Sequence, residues 1–86
     1  MRGLDGKVAV IAGGGGIGAE TARRLASEGC NVMLGDIAVG RAEAAAAAIT
    51  AEGGATCVAH AFDASDDASV KALVDAAIAR FGRVDF

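Results

Sequence analysis

The chain has 86 residues, 53% hydrophobic and 22% charged, a balance that excludes intrinsic disorder and fits one small globular unit. A unit of this size buries only roughly 60 to 65% of the surface its unfolded chain exposes, so marginal stability is expected. The formal net charge of -3 offers no basic footprint for nucleic acid or an anionic membrane, no apolar run reaches bilayer length, and Arg2, Asp5 and Lys7 sit where a signal peptide needs an apolar core.

A cytoplasmic protein with neither nucleic acid nor membrane as partner is therefore expected. Along the chain, Lys7–Ala12 is a short continuous apolar run, which suits a parallel strand buried on both faces. A glycine tract follows and opens a helix expected from about Ile17 to Glu28, closed by Gly29. Asn31–Gly35 is the second strand-like run, ended by Asp36. The alanine-rich stretch from Arg41 to Glu52 has high helix propensity, and Gly53 and Gly54 stop it.

Cys30 and Cys57 follow no CxxC or zinc-ligand spacing, so buried reduced thiols are expected and no metal site. The third strand is expected over Thr56–Phe62, ended by Asp63, with His60 as a packed or surface side chain of no assigned chemistry. Beyond it Val70, Leu73, Val74, Ala77, Ile78 and Phe81 recur at helical spacing on one face. Ser65 or Asp66 can cap this helix, Asp66 and Asp67 suit the positive end of its dipole, and Gly82 can close it. Val84, Asp85 and Phe86 read as the start of a fourth strand. The order is βαβαβα, an α/β Rossmann-like parallel sheet with a truncated fourth strand, spanning residues 1–86 as a partial dinucleotide-binding domain.

The run AGGGGIGAE lies at the first strand-to-helix turn, where Gly13, Gly15 and Gly18 satisfy GxGxxG. That pattern is weak alone, and its place between a strand and a helix strengthens it. Glycine admits positive φ and lets the main chain approach a pyrophosphate, while the helix start offers unpaired N–H groups and partial positive charge. A plain turn would need one glycine for its geometry. Asp36 ends the next strand eighteen residues after Gly18, near the spacing of an acid that binds a ribose. Aspartate also caps turns. As a ribose ligand it would repel a 2′-phosphate, and Ile37 rather than an arginine follows it, which favours NAD over NADP; Arg41 nearby weighs against that preference.

These residues together resemble the short-chain dehydrogenase/reductase family. Leu4–Ile11 looks like its opening strand, Gly16-Ile17-Gly18 like the end of its glycine motif, and Gly35-Asp36-Ile37 like its second-strand acid. Phe62-Asp63-Ala64 is similar to the segment beside the adenine ring, and Phe81–Asp85 to the approach to its fourth strand. The resemblance implies cofactor contacts at Gly13, Gly15, Gly16, Ile17, Gly18, Asp36, Ile37, Asp63 and Ala64, with NAD as cofactor.

Two departures stand out. The family's motif reads TGxxxGxG; aligning Gly16 and Gly18 leaves Ile11 and Ala12 at its first two positions, whereas aligning Ala12 and Gly13 shortens the loop by one residue. The family's NNAG segment, catalytic serine and YxxxK pair have no counterpart here, and the chain holds no tyrosine. No catalytic residue is assigned. The expectation is the N-terminal cofactor-binding half of an oxidoreductase that passes hydride between nicotinamide and an alcohol or carbonyl carbon. This segment alone is expected to be inactive and loosely folded, with homo-oligomers expected of a full-length form. The alternatives are a non-catalytic nucleotide-binding or interaction module and, with less support, a methyltransferase fragment that binds S-adenosylmethionine.

Overall fold

Three apolar runs become parallel strands, β1 (Val8–Ala12), β2 (Asn31–Asp36) and β3 (Cys57–Ala61), in the order β1-β2-β3. The helices α1 (Gly15–Ser27), α2 (Val39–Ala51) and α3 (Asp67–Phe81) follow the strands in turn, and a 3-10 turn at Arg2–Leu4 precedes β1. The computed structural model describes residues 2–13 and 15–86; Met1 and Gly14, the latter within the glycine tract, lie outside the described residues.

The register explains why the strand sequences are apolar without alternation. Ala9, Val32 and Cys57 form one row across the sheet, Val10, Met33 and Val58 the next, and Ile11, Leu34 and Ala59 the third. Successive side chains along a strand point to opposite faces. Val32, Leu34 and Cys57 thus pack with Ala22, Ala26, Ala42, Ala46 and Ile49 of α1 and α2. Met33 faces the other way and packs with Phe62, Leu73 and Ala77. Both faces are covered, so no position inside β2 can be polar without losing its solvation.

Two helices begin earlier than their periodicity suggests. α1 includes Gly15 and Gly16, so part of the glycine tract is itself the first helical turn. α2 begins at Val39 rather than Arg41 because Asp36 Oδ1 accepts the Ala38 N–H at 3.0 Å and turns the chain sharply out of β2. For α3 the cap is Asp66, whose carboxylate accepts the Ala68 N–H, and Gly82 closes the helix at φ +85° with its N–H on the Ile78 carbonyl. The apolar face foreseen for α3 is wider than what it covers. Leu73 and Ala77 are buried, whereas Val70 and Ile78 remain 45% and 47% exposed, because three strands offer a narrow surface on that side.

Side chains also close the sheet at its start. Thr50 Oγ1 donates to the Cys57 carbonyl and accepts the Cys57 N–H, both at 3.0 Å, and Asn31 Oδ1 accepts the Thr56 N–H. Cys30 and Cys57 are free and buried, as foreseen; burial pushes both thiols up, Cys57 to about 11.

Residues 84–86 do not form a strand element, yet they occupy the outer edge of β1. The Val10 N–H donates to the Phe86 carbonyl at 3.0 Å, and the Asp85 and Phe86 N–H groups donate to the Val8 carbonyl. The Asp85 carboxylate accepts the Val8 N–H at 2.9 Å. Arg83, at 2.6 Å, and that amide hold the Asp85 carboxyl below its ordinary value. A carboxyl depressed on folding stabilises the fold above its unfolded pKa and loses that contribution as pH falls through the folded one. On acidification below the ordinary aspartate range, the Val8 and Val10 amide resonances should therefore shift together as this edge loosens. Asp85→Asn should abolish that acid-linked transition in an NMR titration.

Candidate cofactor site

The site lies where the strands end. β1 stops at Ala12, and Gly13 takes φ +84°, a left-handed backbone that side chains rarely tolerate. Its N–H donates to the Gly35 carbonyl at 3.0 Å, which ties the turn to β2. The tight turn therefore falls on Gly13, as the alignment with the shorter loop requires, and not on Ala12.

Gly18 and Gly16 act differently. A Cβ on Gly18 would stand 3.3 Å from the Gly13 carbonyl oxygen and 3.4 Å from Ile11 Cγ2, so its bareness lets α1 press onto the end of β1. A Cβ on Gly16 would meet nothing within 4 Å. That glycine leaves open space above the backbone rather than relieving a clash. Ile17, between them, is 86% exposed.

Asp36 closes β2 and is buried, 4% exposed. Oδ1 accepts the Ala38 N–H, and Arg41 reaches both carboxylate oxygens, with Nε to Oδ2 at 3.3 Å and Nη2 to Oδ1 and Oδ2 at 3.2 and 3.0 Å. Ile37 beside it is exposed. After β3, the Phe62 N–H continues the ladder to the Asp36 carbonyl at 3.1 Å. The Asp63 carboxylate accepts the Ser65 hydroxyl at 2.7 Å and the Ser65 N–H at 2.9 Å, and these bonds hold it below the usual carboxylate range.

These ends enclose a cavity of about 340 Å³ lined by Gly13, Asp36, Ile37, Phe62, Asp63, Ala64 and Ser65. Of the residues singled out from the sequence, Gly13, Asp36, Ile37, Asp63 and Ala64 line it. Gly15, Gly16, Ile17 and Gly18 form the first turn of α1 instead. Sequence reasoning took Phe62 as the last residue of a strand and Ser65 as a helix cap; the DxS spacing was the available signal that Ser65 serves Asp63. A hollow of about 580 Å³ between Asp5, Glu28, Gly29 and Gly54 lies at the opposite end of the sheet, ahead of the strands. Among the described residues no group of three or more His, Cys, Asp or Glu side chains could hold a metal ion.

Such crevices beyond the carboxyl ends of parallel strands are where open α/β sheets bind ligands. The comparisons with known proteins agree with this architecture. Residues 7–86 match the short chain dehydrogenase family, and the chain belongs to that family. It is 43% identical over 83 residues to D-threitol dehydrogenase of Mycolicibacterium smegmatis, covering 95% of this chain and 32% of that protein. A short-chain dehydrogenase/reductase from Burkholderia phymatum, solved in complex with NAD, superposes with a TM-score of 0.88 at 40% identity over 98% of this chain and 30% of its own. A metagenomic short-chain oxidoreductase solved with NADP gives 0.84 at 38% identity over 95% of this chain and 37% of its own. The chain thus spans about a third of the relatives it matches. Family membership sets aside the methyltransferase alternative.

Gly35 links the core to this site. A Cβ there would lie 2.8 Å from Leu73 Cδ2 and 2.9 Å from Phe62 Cβ, so α3 and the cavity floor close onto bare backbone one residue before Asp36. Gly35→Ala should lower stability by about 1 to 3 kcal/mol through overpacking, read from urea unfolding. It should also shift the Asp36 and Phe62 amide resonances in the folded protein.

Proposed function

We propose that this chain is the dinucleotide-binding segment of an oxidoreductase of its family, working in the cytoplasm with NAD preferred to NADP. The observation that carries this reading is the joining of a bare glycine turn and a buried carboxylate at one cavity beyond the strand ends. The residues fit such a group. Gly13, Gly15, Gly16, Ile17 and Gly18 offer backbone N–H groups and a helix start to a pyrophosphate, and the open space over Gly16 leaves room for one. Asp36 accepts hydrogen bonds from the adenosine ribose, and Ile37, Asp63 and Ala64 border the adenine.

A bound nicotinamide cofactor supplies the hydride acceptor or donor for an alcohol or carbonyl carbon. The part of this chain is to bind and orient. It contains no tyrosine, so the acid–base group that the family resemblance implies is not among its residues, and no catalytic residue is assigned.

Cofactor preference follows from charge. Two like charges about 4 Å apart repel by about 4 kcal/mol at an effective dielectric constant of about 20, so a 2′-phosphate beside Asp36 is disfavoured unless a cation intervenes. Calorimetric titration should show NAD binding more tightly than NADP, and Asp36→Ala should narrow the difference. A native preference for NADP would contradict the assignment of Asp36. Gly18→Val should weaken NAD at least tenfold, because the branched side chain pushes α1 off β1; equal affinities would remove the glycine turn from the site.

A further inference from the structure

β3 is an outer strand of the sheet and bonds to β2 on one side only. The Val32 N–H donates to the Thr56 carbonyl and the Phe62 N–H to the Asp36 carbonyl, so the even-numbered residues here turn their backbone groups toward β2. Cys57, Ala59 and Ala61 turn theirs outward, because backbone groups alternate sides along a strand. Such an edge is a template for another strand, and proteins commonly blunt it with charged side chains or proline. β3, with the sequence CVAHA, carries neither. Two neighbouring side chains act instead. Thr50, in the last turn of α2, accepts the Cys57 N–H and donates to the Cys57 carbonyl, both at 3.0 Å, so one hydroxyl takes both groups. At the far end His60 donates Nδ1–H to the Ala61 carbonyl at 2.8 Å. Between them the outward groups of Ala59 and the Ala61 N–H have no partner among the described residues.

We infer that the outer edge of β3 is a pairing surface for a second copy of this chain, held closed by Thr50 and His60. The occupant follows from the register. In an antiparallel pair, residues that exchange both N–H···O bonds alternate with residues that exchange none. With Cys57, Ala59 and Ala61 all facing outward, Ala59 meets its own counterpart across a twofold axis, and Cys57 meets Ala61 on either side of it. The edge is thus complementary to itself, as a twofold interface requires. The central pair uses only groups that are free. The flanking pairs need the Cys57 N–H and carbonyl and the Ala61 carbonyl, the groups that Thr50 and His60 occupy. One pair alone gives too few bonds to hold two copies together, so the two side chains decide whether the edge is open. This role does not depend on what the strand ends bind.

The test is sedimentation velocity over a concentration series, with backbone hydrogen exchange read by NMR, on the wild-type protein, Thr50→Ser, and the double variant Thr50→Val with His60→Ala. In the wild type the Cys57 amide should exchange slowly and the Ala59 and Ala61 amides fast, although all three face outward. The double variant should self-associate about tenfold more tightly than the wild type, the gain expected of one or two hydrogen bonds. Its Ala59 and Ala61 amides should become protected as concentration rises. Thr50→Ser keeps the hydroxyl and should behave as the wild type does. Adding Ala59→Pro removes the central donor at a position whose N–H does not serve β2, and should return the double variant to wild-type behaviour. Equal exchange at Cys57, Ala59 and Ala61 in the wild type would overturn the guarding role whether or not the variants fold. So would a folded double variant that associates no more tightly than the wild type, or one that associates without protecting Ala59.

Discussion

Burial of β2 on both faces is the constraint from which the site follows. Val32 and Leu34 point into the layer under α1 and α2, Met33 into the layer under α3, and a polar side chain at any of these positions would be buried without a partner. Polarity is displaced to the ends of the strand. At one end Asn31 serves the Thr56 backbone, and at the other Asp36 stands where β2 opens toward solvent. The carboxylate is consequently both nearly buried and adjacent to a cavity, the combination that lets a side chain discriminate between charged and neutral ligands.

The glycines complete that end of the sheet by letting backbone approach backbone. Gly13 bends left-handed and bonds to Gly35, Gly18 brings α1 against the Gly13 carbonyl, and Gly35 admits Leu73 and Phe62. A methyl group would crowd the contacts of Gly18 and Gly35, and at Gly13, where a Cβ would meet nothing, the left-handed φ itself disfavours a side chain. Together they draw the ends of β1, β2 and β3 into one rim, so residues far apart in sequence, from Gly13 to Ser65, border the same 340 Å³. The price of this geometry is a set of positions where ordinary residues cannot substitute.

Much of this was legible in the sequence because its signals were local. Unbroken apolar runs marked strands covered on both faces, glycine clustering marked the first turn, and Asp36 stood at the spacing from Gly18 that such folds require. What escaped was set by contacts between distant segments. The early start of α2 depends on Asp36 catching the Ala38 N–H, which no helix propensity encodes. Exposure of Val70 and Ile78 depends on the width of the sheet, not on their periodicity. Arg41 stood out only as a nearby cation, and its bidentate grip on Asp36 became visible only once the turn between β2 and α2 had a shape.

The central claim is that the dinucleotide sits at the carboxyl ends of the strands, across the glycine turn and Asp36. The most direct measurement is a map of backbone amide shifts as NAD is added to the isotopically labelled protein. The account predicts that the largest changes fall on Gly13, Gly16, Ile17, Gly18, Asp36, Ile37 and Ala64. Changes centred instead on Asp5, Glu28, Gly29 and Gly54, around the hollow at the opposite end of the sheet, would contradict it.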